Sequence, residues 1–336
     1  MSSGTALVVT SIASPNAALR ALADLALNRS WRFYLIGDEP SPPDFHLPGC
    51  EFYSLDQQRC AGLRFAAECP VRHYARKNIG YLLAFRHGAE VVVETDDDNS
   101  PLPAFAHDRR RNTAASLVRN AGWVNVYRYY SDVQIWPRGL PLDAVLQAPP
   151  ELGPAAPADC PIQQGLAGDN PDVDAVYRLL LPLPVQFRQC PPVALGAGAW
   201  CPFNSQNTTW FRDAFPLMYL PAWCSFRMTD IWRSLVAQRI AWEYGWSVLF
   251  HEATVAQDRN QHDLMKDFAD EIPGYLQNRR IAAILGALSL SGSTAAMGDN
   301  LRLCYEALTA EGIMDRRELP LLNVWLDDLK DIGLGN

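Results

Sequence analysis

The stretch RKNIGYLLAFRHGAEVVVETDDDN, residues 76–99, decides the fold. Ile79, Leu82, Leu83 and Phe85 fall at near-helical spacing, and Gly88 stands where a left-handed cap would end a helix. Val91, Val92 and Val93 form a β-branched run too short for a helix, which predicts a strand buried on both faces. Asp96, Asp97 and Asp98 then emerge at that strand's carboxyl end, the edge where open α/β sheets bind ligands. Carboxylates this close repel one another unless a positive charge intervenes, and a divalent cation is the simplest candidate. Arg76 and Lys77 at the helix start add a basic N-terminus suited to a pyrophosphate. The plain alternative is a solvated Asp-Asp-Asp-Asn turn halted by Pro101, because Asp and Asn favour turns.

Upstream, residues 6–9 form a short apolar strand, and Ser14-Pro15 supply a cap and first residue for a helix to about Asn28. Residues 31–36 make a second strand ending at Gly37-Asp38. Strand, helix and strand at this spacing predict a βαβ unit and a parallel sheet. Thr10, Ser11 and Asp38 then lie on the same edge as the acidic triplet, and Asp38 is placed either to accept from a ribose or base or merely to turn the chain. Residues 56–67 read as helical, 123–130 (WVNVYRYY) as a strand, and 137–161 as a proline-rich irregular excursion.

Farther on, AVYRLL (175–180) reads as a short helix. The glycines of 196–199 and the amides and hydroxyls of 202–208 suit either a polyhydroxylated ligand or an ordinary turn. Arg227-Met228-Thr229-Asp230 opens a helix closed by Gly245, with Asp230 a natural cap. Residues 246–250 read as a last strand with His251 at its end, and His262 follows. Three helical segments complete the chain, near 274–289, 300–309 and 319–331, packed for burial. The expected division is residues 1–270 as a sheet domain and 271–336 as a helical extension.

With 336 residues, 49% of them hydrophobic, the chain has ample material for a core. Its formal charge of -8 argues against nucleic acid or an anionic membrane as a general partner. Eight cysteines without a C-x-x-C pair read as reduced structural thiols. No stretch reaches the ~18 apolar residues of a membrane span, and no basic leader precedes an apolar run. The expectation is therefore a cytoplasmic protein without a transmembrane segment.

The ordered set RKNIGYLLAFRHGA, ETDDDN, WPRGLPL, GDNPDVDAVYRL, PFNSQNT, RMTDIWRS and QDRNQHDLMKDF resembles the STELLO-type glycosyltransferase-like family over roughly residues 5–275. More distantly it is similar to the reversibly glycosylated polypeptide and UDP-arabinopyranose mutase group. The resemblance implies an α/β GT-A fold, a Rossmann-like nucleotide-binding sheet joined to a mixed acceptor-side half. It implies that Asp96-Asp97-Asp98 is a D-x-D signature, with Asp98 on Mn²⁺ or Mg²⁺, Asp96 on the ribose or the metal, and Asp97 beside the nucleotide. Thr10, Asp38, Arg76, Lys77 and Asn78 resemble nucleotide contacts, and Asn207 a residue near the donor sugar. His251 resembles a late metal ligand, with His262 as its substitute. Asp230 resembles the general base of an inverting transferase. The implied donor is a nucleoside-diphosphate sugar, with uridine the expected nucleoside, and the acceptor a glycan, lipid-linked glycan or small molecule. Two alternatives remain: a sugar-nucleotide mutase, in which an arginine carries the glycosyl unit, and a non-catalytic scaffold assisting a partner enzyme. The loops at 131–165 and 199–226 are expected to select the substrate.

Overall fold

A computed structural model describes residues 4–258 and 263–335. The first half comprises β1 (Thr5–Thr10), α1 (Ala17–Arg29), β2 (Arg32–Ile36), β3 (Glu51–Tyr53), α2 (Leu55–Arg59), α3 (Arg64–Glu68), α4 (Lys77–Arg86), β4 (Val91–Thr95) and β5 (Asn99–Pro101). There follow β6 (Asn112–Val118), β7 (Gly122–Trp123), α5 (Tyr127–Tyr130), β8 (Ala156–Asp159), β9 (Ile162–Gly168), α6 (Ala175–Leu180), β10 (Val193–Leu195), β11 (Ala199–Trp200) and β12 (Asn207–Phe211). The last elements are α7 (Thr229–Glu243), β13 (Val248–Gln257), α8 (Leu264–Ala287), α9 (Met297–Ala310) and α10 (Glu318–Ile332).

Among the described residues eleven strands share one sheet, in the order β3-β2-β1-β4-β12-β9-β13-β10-β6-β8, with β5 added on β13. The stretch from β3 to β4 is parallel throughout. From β4 onward antiparallel pairs enter, at β12 on both its sides and at β13 with β10. The α/β class, with a parallel Rossmann-like half and a mixed half, is the architecture observed. Val92 and Val93 are buried, each in a different apolar cluster, so β4 is covered on both faces. Gly88 closes the preceding helix at φ +79.

Helix α4 lies close on the sheet because Gly80 faces it. A Cβ there would come within 2.5 Å of Val8 Cγ1 and 2.9 Å of Ile36 Cγ1. Gly80→Ala should therefore cost about 1–3 kcal/mol, outweighing alanine's advantage of ~1 kcal/mol in a helix. A lowered urea midpoint with unchanged slope is the expected result.

The C-terminal helices belong to the same core as the sheet. Tyr305, Leu322 and Trp325 share one buried cluster with Phe85, Phe215 and Leu235. Asp328 of α10 accepts from the Arg64 and Phe65 amides at 3.0 and 2.8 Å, and so caps α3, whose own N-cap is Leu63. The boundary expected at residue 270 falls inside α8. No helix among the described residues is long and apolar enough to cross a membrane.

Two expectations fail locally. The segment at 123–130 pairs through Gly122 and Trp123 with β11 alone, in a separate two-stranded ribbon, and then makes one helical turn, its Asn125 side-chain amide donating to the Ile135 and Val145 carbonyls. Helix α1 is capped by Asn16, with Oδ1 accepting from the Leu19 amide at 2.8 Å, and not by Ser14.

Candidate active site

The carboxyl ends of β1, β2 and β4 meet in a cleft of about 560 Å³, within the range of small-molecule sites. Thr10 and Ser11 enter it from β1, Asp38 from just beyond β2, and all three acids from the loop after β4. Strand order reverses between β1 and β4, the chain leaving β1 toward β2 and returning to β4 on its other side, and this leaves the edge open.

Each acid is held by a different element. Asp96 Oδ1 accepts from Lys77 Nζ at 3.0 Å and from the Tyr74 hydroxyl at 2.7 Å. Asp97 accepts from the Ser11 hydroxyl, and its carbonyl accepts from the Asn16 amide at 2.8 Å, which ties the α1 cap to the acidic loop. Asp98 Oδ2 accepts from Gln257 Nε2 at 3.0 Å, where β13 ends. Burial pushes the Asp97 carboxyl up from its ordinary value, and neighbouring Asp96 adds to the shift despite the Ser11 bond. Lys77 is the ammonium paired within the triplet, and it is fully buried among Tyr74, Thr95 and Ser205.

These residues fit a hard divalent cation. Three oxygen-donor side chains lie together, the Lys77 ammonium is paired with Asp96, and burial already opposes ionisation of Asp97. No three His, Cys, Asp or Glu side chains converge on one point among the described residues. One or two carboxylates completed by phosphate oxygens and water is the mode that suits Mg²⁺, and not an all-protein cage.

Other expected site residues divide sharply. Asp38 lines the cleft, with its oxygens held by the Glu39 and His73 amides, the latter at 2.9 Å. Arg76 borders the cleft, but its guanidinium is turned to Gln58 Oε1 and the Cys69 carbonyl. Asn78 lies outside, buried with its amide exchanging two bonds with the Leu220 backbone. Asn207 is likewise taken, by the Leu166 carbonyl and Thr254. Both side-chain amides are thus engaged within the protein, Asn78 on the Leu220 backbone and Asn207 on Leu166 and Thr254, away from the cleft.

His251 also lies away from the cleft. Strand β13 does not stop there but runs on to Gln257, so the end facing the acids lies six residues later. His251 borders a separate groove. His262 lies outside the described residues.

Several cleft residues had no assigned role in the sequence reading. Arg138 sits between two carboxylates, donating to Asp172 at 2.8 and 2.9 Å and to Asp230 at 2.9 and 3.1 Å. Its remaining N–H is given to the Arg227 carbonyl, so all five are used. Burial opposes its charge, yet the two acids hold its pKa well above the ordinary value, and Arg138 in turn holds Asp172 low. Ser205 approaches Asp230 Oδ2 at 3.3 Å and the Tyr74 hydroxyl at 2.7 Å. Arg138 and Asp172 lay within two of the quoted motifs, and an arginine beside Pro-rich sequence with an acid in Asn-Pro-Asp was the available signal.

The family model described as STELLO glycosyltransferases matches residues 227–335. The Arabidopsis thaliana protein called probable glycosyltransferase STELLO1 is 27% identical over 358 residues, covering 97% of this chain and 44% of the relative. STELLO2 of the same plant is 27% identical over 350 residues, covering 97% and 45%. The chain thus spans less than half the length of these curated relatives. Among solved structures, glucosyl-3-phosphoglycerate synthase from Mycobacterium tuberculosis with Mn²⁺, uridine diphosphate and its product gives a TM-score of 0.42 at 12% identity, covering 82% of this chain and 79% of that one. Its complex with Mg²⁺ and uridine diphosphate gives 0.40 at 14% identity, covering 82% and 78%. The carboxyl-terminal third of this chain thus matches the STELLO model, and nearly all of its length is similar to part of both plant proteins.

Proposed function

We propose that the cleft binds a nucleoside-diphosphate sugar together with Mn²⁺ or Mg²⁺ and transfers the glycosyl group to an acceptor hydroxyl. The observation that carries this reading is the acidic triplet lining a cleft at the ligand-binding edge of a Rossmann-like sheet. The names of the plant relatives support it. Asp98, with Asp96, would hold the cation, which supplies charge neutralisation for the departing diphosphate. Thr10, Ser11 and Asp38 line the neighbouring edge, where a ribose and base such as uracil would lie. Arg138 has no N–H left for further contact, so its part is to fix Asp172 and Asp230.

Asp230 is our candidate base in a single inverting displacement. Its oxygens accept from Arg138, the Ser205 amide and the Ile231 amide. The Ser205 hydroxyl has a choice of partners: donated to Tyr74, 2.7 Å away, it vacates the place beside Oδ2 that an acceptor hydroxyl would take, in company with Arg138 and the Ser205 amide. Asp230→Asn should lower kcat by about 10²–10⁴-fold while metal-dependent donor affinity stays within about threefold. If affinity and thermal midpoint fall together with the rate, Asp230 serves only to balance Arg138.

A further inference from the structure

His251 and Asn207, two of the expected site residues that the cleft does not use, lie together beneath another opening. This groove, of about 580 Å³, shares no lining residue with the cleft and runs between residues 107–110, β13 and the segment 189–192. Gly165 makes room beneath it, since a Cβ there would come within 2.8 Å of His251 Cε1 and would also strike the Asn207 amide. Asn207 in turn holds Thr254 at 2.8 Å, and Thr254 lines the groove.

The groove is cationic where it is built. Arg109 donates to the Phe105 and His107 carbonyls at 3.1 and 3.2 Å and approaches Thr254 at 3.5 Å. Among the described residues no carboxylate pairs with it or with Arg110; Asp108 is drawn off by Arg29 at 2.5 Å. Glu252 borders the groove, but neither arginine is in ion-pair contact with it. Burial alone pushes the Arg109 guanidinium down to about 10, the mark of a charge with too little to offset its desolvation. His251 donates Nδ1–H to the Glu252 carbonyl at 3.0 Å, which fixes the neutral tautomer with Nε2 as acceptor. That Nε2 has no hydrogen-bond partner and is closed to water beneath the groove floor, so a ligand hydroxyl reaches it only by parting the side chains above it. Burial and the nearby arginine together keep the ring neutral.

We propose that this groove is a second binding site, taking a small hydroxylated oxyanion whose phosphate or carboxylate sits on Arg109 and Arg110 and whose hydroxyl is donated to His251 Nε2. An oxyanion supplies the counter-charge that the guanidinium lacks. A hydroxyl supplies the one donor that the imidazole can use. A simple inorganic anion meets the first requirement only, and a neutral sugar the second only, so acidic sugars are the class selected.

The test is a titration of the full chain, carrying ¹³C-labelled histidine, with glucose 6-phosphate, glucuronate, inorganic phosphate and glucose at constant ionic strength. Saturable binding is expected for one or both acidic sugars, at least about tenfold tighter than for inorganic phosphate or glucose, with a shift of the His251 ring signal. Whichever acidic sugar binds tighter distinguishes phosphate from carboxylate as the preferred anion. Arg109→Gln should weaken binding about tenfold or more and Arg110→Gln by about three- to tenfold. Arg110 is exposed with no side-chain partner, so its variant tests the site even if Arg109→Gln fails to fold. Binding of uridine diphosphate with Mn²⁺ should be unchanged in Arg110→Gln, whether or not the cleft proves to be a transferase site. Non-saturating or salt-screened signals, equal affinity in Arg110→Gln and the unaltered chain, or an unmoved His251 ring would each overturn the proposal.

Discussion

Asp98→Asn should abolish metal-dependent nucleotide binding, with a loss of at least about 100-fold in Mn²⁺-supported affinity for uridine diphosphate and a similar or larger loss of transfer. The amide keeps the size of the side chain and an oxygen for the Gln257 contact, so the fold at the end of β13 should survive. What disappears is a full negative charge at the rim of the cleft, on the side away from Lys77. Asp96→Asn should behave differently. Asp96 is the carboxylate paired with Lys77, whose side chain is fully buried while that of Asp96 is 30% exposed. Removing that charge leaves a buried ammonium with only neutral acceptors, at a cost of about 2–4 kcal/mol, the smaller figures reflecting the exposure of Asp96. Calorimetric titration with and without Mn²⁺, beside urea denaturation, separates the two: Asp98→Asn should lose binding at constant stability, and Asp96→Asn should lose both. Titration of Asp98→Asn that matches the unaltered protein would remove Asp98 from the metal site.

That contrast was only half visible in the sequence. The run from Arg76 to Asn99 gave the helix, the glycine stop, the strand and the placing of the acids, because periodicity, β-branching and chain punctuation are local properties. Which neighbour binds each acid is a tertiary matter. Lys77 and Arg76 are adjacent at the helix start, yet one reaches Asp96 and the other turns to Gln58. Asn78 and Asn207 had the chemistry of ligand-binding amides, but a buried loop or strand has backbone groups to satisfy, and the amides are used there. β6, with its Asn-Thr-Ala-Ala-Ser run, carries little strand propensity of its own and is set by pairing with β8 and β10. The converse holds at 123–130, where aromatic and β-branched residues promised a strand but pack around a single helical turn. His251 was misplaced because β13 continues through polar residues and two register shifts, which break the alternation that marks a strand's end. Arg138 lay in a legible motif, but its two acids are 34 and 92 residues away, beyond any local pattern.

The largest expected loss of stability lies beneath the acidic loop, at Glu94. Both Glu94 and Arg233 are buried, with Arg233 nitrogens 3.0 and 2.9 Å from the two carboxylate oxygens. Glu94 also accepts from the Tyr81 hydroxyl and from Trp210 Nε1 at 2.8 Å, and Arg233 lies over the Trp210 ring at 5.1 Å. Glu94→Gln preserves shape and an acceptor for Trp210 but leaves a guanidinium in the core without its counter-charge. The expected cost is about 3–5 kcal/mol, a large part of the ~5–15 kcal/mol that holds a domain together. Arg233→Met should cost a similar amount, by stranding the carboxylate instead. In Glu94→Gln/Arg233→Met neither charge is present, and the loss should be smaller than the sum of the two by at least about 2 kcal/mol. The consequence reaches the cleft, because Glu94 lies two residues before Asp96 and Arg233 holds the Asn204 carbonyl beside Ser205 at 3.2 Å. Below its urea transition, Glu94→Gln should therefore bind uridine diphosphate and Mn²⁺ more weakly than the double variant does. Additive single-variant losses would show that the two charges do not depend on each other, and would leave the position of the acidic loop to β4 pairing alone.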